Sequence, residues 1–201
     1  MIRVVESQFL TSAQGVDDSM QEGVSEVVFL GRSNVGKSSI INALVNKKGL
    51  AKSSSTPGKT RLINFFSVKF MKDEERYIAR FVDLPGFGYA KVSKSMKQEW
   101  QKNLTNFLNR RTSIRLFIHL VDSRHTSLDI DSGVSEYIKS QIRPDQELIQ
   151  VFTKADKLNQ KQKSALKKAF PGSLLVSSTK KSGLDEVLEV IFNSLYGVSN
   201  D

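Results

Sequence analysis

Eight residues constrain this chain more than any others. Gly31-Arg32-Ser33-Asn34-Val35-Gly36-Lys37-Ser38 has the form G-x-x-x-x-G-K-S. An apolar run, Val27-Val28-Phe29-Leu30, precedes it, and Ser39 to Val45 follows with apolar residues at helical spacing. A strand that turns through glycines into a helix leaves backbone N–H groups free to wrap phosphate oxygens. In such a turn the lysine reaches the β- and γ-phosphates of a nucleotide, and the hydroxyl after it ligates Mg²⁺. Gly31, Arg32, Ser33, Asn34, Val35, Gly36, Lys37, Ser38 and Ser39 are the expected cradle, with Lys37 catalytic and Ser38 on the metal.

The rest of the chain alternates strand-like and helix-like segments. Ile63 to Met71 and Tyr77 to Val82 read as a hairpin across Lys72–Arg76, while Ile114–Asp122, Leu148–Thr153 and Leu174–Ser177 read as buried strands. Met96–Arg110 reads as a helix with Met96, Trp100, Leu104, Phe107 and Leu108 on one face; Ile130–Ile142, Gln160–Phe170 and Leu184–Tyr196 read as further helices. This order predicts an α/β fold. It has a mostly parallel sheet of six or seven strands, one of them antiparallel, with helices on both faces. Residues 1–23 read as a leader, 24–198 as one domain and 199–201 as a tail. Ligands of such sheets bind beyond the carboxyl ends of the strands, and every motif below falls at such an end.

Phe81-Val82-Asp83-Leu84-Pro85-Gly86 is an apolar strand ending in D-x-x-G. Asp83 can hold Mg²⁺ through water, and the Gly86 N–H can approach a γ-phosphate. Val151-Phe152-Thr153-Lys154-Ala155-Asp156 is a strand ending in T-K-x-D. Asp156 can accept from guanine N1–H and N2–H₂ together, while the Lys154 stem covers the ring. Adenine offers no donors there, so the segment selects GTP and GDP over ATP. The plainer alternative is an Asp capping the next helix. Ser177-Ser178-Thr179 follows the last strand, where a backbone N–H can donate to guanine O6. In the polar loop before the hairpin, Thr60, with Thr56 as fallback, is the expected ligand that closes over Mg²⁺ and the γ-phosphate.

This order of motifs resembles the translation-factor-related GTPases, within the TrmE-Era-EngA-EngB-Septin-like class. Gly31 to Ser39, Thr56-Pro57-Gly58-Lys59-Thr60, Leu62-Ile63-Asn64-Phe65-Phe66 and Asp83-Leu84-Pro85-Gly86-Phe87-Gly88-Tyr89-Ala90 look like the EngB (YihA/YsxC) family, as do Val121-Asp122-Ser123-Arg124-His125 and Thr153-Lys154-Ala155-Asp156. The resemblance spans about residues 24 to 196. It implies a Ras-like fold, Mg²⁺-dependent GTP binding and hydrolysis, and nucleotide contacts from Gly58, Lys59 and Thr60. It also implies a role in assembling the large ribosomal subunit and an association with cell division and septation.

Two residues depart from the Ras pattern. Phe87 stands where a Gln usually orients the attacking water, so hydrolysis by the chain alone is expected to be slow. Asn34 is the candidate to hold a K⁺ that substitutes for an arginine finger; the alternative is that its side chain stabilises the loop by hydrogen bonds. Thr153 stands where many GTPases have Asn. Its shorter reach predicts a weaker tether to the phosphate loop and moderate nucleotide affinity.

Thirty Lys and Arg oppose 21 Asp and Glu, a net charge of +9. That fits a polyanionic partner, nucleic acid before a membrane surface, and equally a soluble basic protein without one. One lysine group comprises Lys157, Lys161, Lys163, Lys167 and Lys168. A second group surrounds the helix after Phe87 with Lys91, Lys94, Lys97, Lys102, Arg110, Arg111 and Arg115. Cysteine is absent, which excludes disulfides and thiolate metal sites and suits a cytoplasmic protein. No apolar run reaches membrane-spanning length. His119 reads as a satisfied core residue. The expected partners are guanine nucleotide and the large ribosomal subunit or its precursor, contacted through rRNA and ribosomal proteins by a monomer. The competing reading is a nucleotide-gated binding module with negligible hydrolysis, contacting rRNA or a division protein.

Overall fold

A computed structural model describes residues 1–52, 62–87, 94–126 and 129–197, without the side chains of 94–97, 99 and 100. Thr56, Gly58, Lys59, Thr60, Tyr89, Ala90 and Lys91 therefore lie outside the described residues, as do the side chains of Lys94, Met96, Lys97 and Trp100.

The central strands are the most apolar. β2 (Glu26–Gly31) is buried along its whole length, between β4 (Glu75–Asp83) and β5 (Ile114–Asp122), and parallel to both. Near-continuous apolar runs are what a parallel strand covered on both faces requires. Alternation then divides the core. Val27 and Phe29 face one helix layer, while Val28 and Leu30 face the other. Fully burying each such side chain contributes about 1.5–3 kcal/mol.

The sheet has seven strands in the order β1-β3-β4-β2-β5-β6-β7. β3 (Ile63–Lys72) is antiparallel to both its neighbours, β1 (Arg3–Ala13) and β4; the other pairs, including β6 (Glu147–Thr153) and β7 (Leu174–Leu175), are parallel. The mostly parallel sheet with one antiparallel strand is therefore as expected. The boundary at residue 23 is not reflected in the sheet. Arg3–Ala13, read as a leader, is its edge strand, paired along β3 with two register shifts. An edge strand leaves Val5 and Phe9 exposed, which blurs the alternation that marks a half-buried strand.

On one face lie α1 (Lys37–Leu44) and α5 (Leu184–Tyr196). α5 places Asp185 and Glu186 in its first turn, where the helix dipole favours them, and buries Leu184, Val187, Leu188, Ile191 and Phe192. On the other face lie α2 (Lys94–Arg110) and α3 (Asp129–Gln141), with Leu104, Phe107 and Leu108 of α2 in the core. α4 (Gln160–Ala169) starts with a capping box, Asn159 accepting from the Gln162 N–H and Gln162 accepting from the Asn159 N–H.

Two buried polar clusters were invisible in the sequence. Glu26 is fully buried and accepts from Arg80 Nη1 at 2.7 Å, Arg111 Nε at 2.6 Å and Arg111 Nη2 at 2.7 Å. The Arg111 guanidinium also lies 5.0 Å from the Phe65 ring and 5.5 Å from that of Phe107. Arg111 is thus no surface charge, contrary to expectation. Arg110 pairs with Asp17 and Arg115 with Asp145, so the arginines of that second group are neutralised locally. His119 is buried, with Nδ1 2.7 Å from Ser135 Oγ. Among the described residues its Nε2 has no hydrogen-bond partner and stands 3.6 Å from Asp131 Oδ1, so there the expectation of a satisfied histidine holds for one nitrogen only.

Candidate functional site: the carboxyl edge of the central strands

The chain leaves β2 and reverses into α1 through two left-handed residues. Gly36 has φ +101° and Asn34 has φ +63°. Glycine takes this conformation freely, and asparagine is among the few other residues that tolerate it. The Asn34 side chain is exposed and, among the described residues, makes no hydrogen bond. The alternative to an ion-binding role, bracing of the loop by this side chain, therefore has no bond to support it among the described residues. α1 begins with no side-chain cap and no acid in its first turn. Its first N–H groups, from Lys37, Ser38 and Ser39, have no helical acceptor, and together with the helix dipole they suit an anion.

Lys37, at the start of α1, ion-pairs with Asp83, at the end of β4. The Asp83–Gly86 segment then runs along the turn. Leu84 donates its N–H to the Phe29 carbonyl at 3.0 Å, Phe87 donates to Gly31 at 3.2 Å, and Ser33 donates to Phe87 at 3.0 Å. Pro85 is buried. A Cβ on Gly86 would sit 3.0 Å from Ser33 Oγ and 3.1 Å from its backbone Cα and N. This close approach is the structural demand for glycine at the end of D-x-x-G. Phe87 is buried in the core layer with Leu84 and Leu104, its ring 5.9 Å from that of His119.

The third side of the site is held by side-chain bonds between distant segments. Thr153 Oγ1 donates to the Val35 carbonyl at 2.7 Å, and Thr153 is almost fully buried. Thr153 therefore reaches the phosphate-loop candidate at full hydrogen-bonding distance, unlike the weak tether anticipated. Lys154, left-handed at φ +57°, donates from Nζ to the Asn34 carbonyl at 2.9 Å and to Asp122 Oδ2 at 2.8 Å. The Lys154 ammonium thus joins β6 to the turn after β2. Ala155 donates its N–H to the Val176 carbonyl at 3.0 Å, which brings the segment after β6 against the one after β7. Ser177 Oγ donates to Asp156 Oδ1 at 2.6 Å, and the Lys180 N–H donates to Ser177 Oγ at 3.0 Å. The Ser177 hydroxyl holds the Asp156 carboxyl below the usual carboxylate range against the opposing effect of burial. Ser178 is half-buried and Thr179 exposed beside this pair.

Asp122, in the segment Val121–His125, closes this side of the site. Burial disfavours its charged form, yet hydrogen bonds from Arg124 and Lys154 outweigh that and hold its carboxyl well below the ordinary range. Arg124 grips it as a fork, Nε to Oδ1 at 2.9 Å and Nη2 to Oδ2 at 2.7 Å. Asp122, Arg124, His125 and Lys154 line one recess with Arg32–Val35. The contact between Asp122 and Lys154 depends on β5 and β6 being neighbours in register, Asp122 opposite Thr153, which no local spacing could reveal.

The structure thus gathers Gly31–Ser39, Asp83–Gly86, Thr153–Asp156 and Ser177–Thr179 along the carboxyl edge of β2, β4, β6 and β7. A family model described as "50S ribosome-binding GTPase" matches residues 26–154. A probable GTP-binding protein EngB of Campylobacter jejuni is 54% identical over 195 residues, covering 97% of this chain and 98% of that one. The chain belongs to the EngB family of GTP-binding proteins. The EngB protein of Campylobacter lari is 55% identical over 198 residues, 98% of this chain and all of that one. The crystal structure of a probable GTP-binding protein engB shares the fold, with a TM-score of 0.62 at 21% identity over 85% of this chain and 98% of the other. EngB membership gives the chain a GTPase domain, and the edge just described is where Gly31–Ser39, Asp83–Gly86 and Thr153–Asp156 meet.

Proposed function

We propose that this chain is a Mg²⁺-dependent, GTP-hydrolysing switch that acts in assembly of the large ribosomal subunit. The observation that carries the guanine reading is the pairing of Ser177 with Asp156 beside a Lys154 fixed to the Asn34 carbonyl. An ionised Asp156 can accept both donors of the guanine edge, and the Lys154 stem is held over the place the ring would take. The ribosomal part is supported by the family description and not by any contact in the structure.

In this reading Asn34–Ser39 and the start of α1 bind the phosphates, with Gly31, Arg32 and Ser33 shaping the turn. The Ser38 hydroxyl and the Asp83 carboxylate would hold Mg²⁺, together with Thr60. These are hard oxygen donors, and few are needed because Mg²⁺ completes its shell with phosphate and water. The ion neutralises phosphate charge when bound. Lys37 stabilises the charge that develops on the transferring phosphoryl group, and Gly86, pressed against Ser33, brings its N–H toward the γ-phosphate. Gly58 and Lys59 join from the preceding loop, and Leu84 and Pro85 fix the path of the segment. No side chain among the described residues takes the water-orienting role, because Phe87 is buried in the core. Intrinsic turnover is then slow, and a ribosomal partner or a K⁺ held at the exposed Asn34 side chain supplies what is missing. In this reading the chain acts in the cytoplasm, and its association with division and septation arises either from ribosome supply or from direct contact with division proteins.

The buried Phe87 also favours a second reading, a nucleotide-gated binding module with negligible hydrolysis. Calorimetric titration with GTP, GDP and ATP, followed by co-sedimentation with large-subunit particles in each nucleotide, tests the proposal. Selective guanine binding with particle association stronger in a non-hydrolysable GTP analogue than in GDP supports it. Equal ATP binding, or no association in any nucleotide state, contradicts it.

A further inference from the structure

The positive charge of this chain is concentrated in one stretch. Residues 157–184 contain seven lysines, Lys157, Lys161, Lys163, Lys167, Lys168, Lys180 and Lys181, and no acid, leaving 23 basic against 21 acidic residues elsewhere. The stretch is α4, β7 and their connections, at the edge of the sheet opposite β1.

Three features separate this from an ordinary solvated helix face. Lys161, Lys167 and Lys168 are exposed and, among the described residues, pair with no carboxylate. In contrast, Arg110, Arg111 and Arg115 are each matched with an acid. Next, helix stability accounts for only part of the cluster, since Lys167 and Lys168 in the last turn of α4 suit the helix dipole and the others do not. Lys161 and Lys163 sit in the first turn of α4, where the dipole disfavours cations, and Lys163 and Lys167 are like charges one turn apart. The capping box compensates locally. Finally, the apolar side of α4 is already used: Leu166 and Phe170 pack on Val121, Phe152 and Leu175. No exposed large apolar residue lies in 157–184, so this helix has no apolar face to sink into a lipid surface. What remains is a cluster of exposed cations suited to a phosphate backbone.

We infer that the outer face of α4, centred on Lys161, Lys167 and Lys168, is an RNA-binding surface. The choice of RNA as the polyanion rests on the ribosomal reading above; the charge geometry does not. α4 joins β6 to β7, on the far side of β2 and β5 from β3 and β4, where the segments around Thr60 and after Gly86 lie in the chain. The surface therefore anchors RNA in GTP and GDP alike, and the nucleotide-dependent contact is made elsewhere.

The test is binding of a labelled polyuridine oligonucleotide to the full chain by fluorescence anisotropy across a salt series, in GDP and in a non-hydrolysable GTP analogue. The variant is K161E/K167E/K168E, and the control is K48E/K102E/K139E, which changes net charge equally at exposed positions outside 157–184. The α4 variant is expected to lose at least ~10-fold in RNA affinity and to flatten the log–log salt dependence by about two to three, in both nucleotides. GDP affinity stays within about twofold of the parent, which shows that the variant is folded. RNA affinity unchanged in the α4 variant, an equal loss in the control, or tighter binding of the parent chain to anionic vesicles than to RNA overturns the inference. Co-sedimentation with large-subunit particles separates this from the ribosomal reading. RNA affinity that falls while the parent chain shows no particle association leaves the surface standing and removes that reading. Particle association with unchanged RNA affinity does the reverse.

Discussion

Thr153 and Val35 are 118 residues apart in the chain, and the Thr153 hydroxyl donates to the Val35 carbonyl at 2.7 Å in a nearly water-free setting. The bond ties the base-recognition segment to the phosphate loop. Replacing Thr153 with Val keeps the shape but leaves a buried carbonyl short of its donor, which costs about 1–3 kcal/mol. Thr153→Val is expected to weaken GDP binding by roughly 5- to 150-fold on that basis, and Thr153→Ser to retain most of it. Calorimetric titration of both variants checks this; affinity kept in Thr153→Val and lost in Thr153→Ser would show that the methyl group matters and the hydroxyl does not.

Asp156 sets the preference for the base. Asp156→Asn offers one donor and one acceptor in place of two acceptors, so its affinity for GTP should fall at least ~100-fold. Xanthine nucleotides, whose edge carries an acceptor where guanine carries its amino group, should bind the variant better than the parent chain. Competition between the two nucleotides measures the exchange directly.

The hydrogen bond from Ser177 has a pH signature. A carboxylate whose pKa is lowered in the folded protein contributes fully above the ordinary aspartate value, about 4. That contribution is lost as pH falls through the lowered value. GDP affinity should therefore hold constant from neutrality to about pH 5 and fall only in stronger acid. Ser177→Ala removes the main cause of the lowering, so the acid limb of its binding curve should move to higher pH. A limb that stays in place would mean that the hydroxyl does not govern this titration.

The Glu26 cluster makes a prediction about stability alone. Glu26→Gln leaves two arginines buried with no carboxylate, a loss of about 3–5 kcal/mol. Urea unfolding should show the loss, and the guanine preference should be unchanged in the protein that remains folded. A loss below about 1 kcal/mol, the scale of an exposed pair, would contradict the burial argument.

What could be read in the sequence was local. Gly31–Ser38, Asp83–Gly86 and Thr153–Asp156 announce themselves through fixed spacing at the ends of apolar runs, and α5 through its helical period. The alternation of strands and helices also gives the mostly parallel sheet, though not the order of its strands. Features that depend on distant partners were not legible. Arg111 looked like surface charge until Glu26, 85 residues away, was seen to bind it. Asp122 gained its role from Lys154 through the pairing of β5 with β6. β1 is not legible because an edge strand exposes Val5 and Phe9 and lacks clean alternation.

The most direct test of the central claim is turnover of GTP and ATP by the purified chain, with and without large-subunit particles, in K⁺ and in Na⁺. The account predicts hydrolysis of GTP and not ATP, slow for the chain alone and faster with particles, with Asn34→Ala abolishing any advantage of K⁺. Equal turnover of ATP, or GTP turnover indifferent to particles, would contradict it.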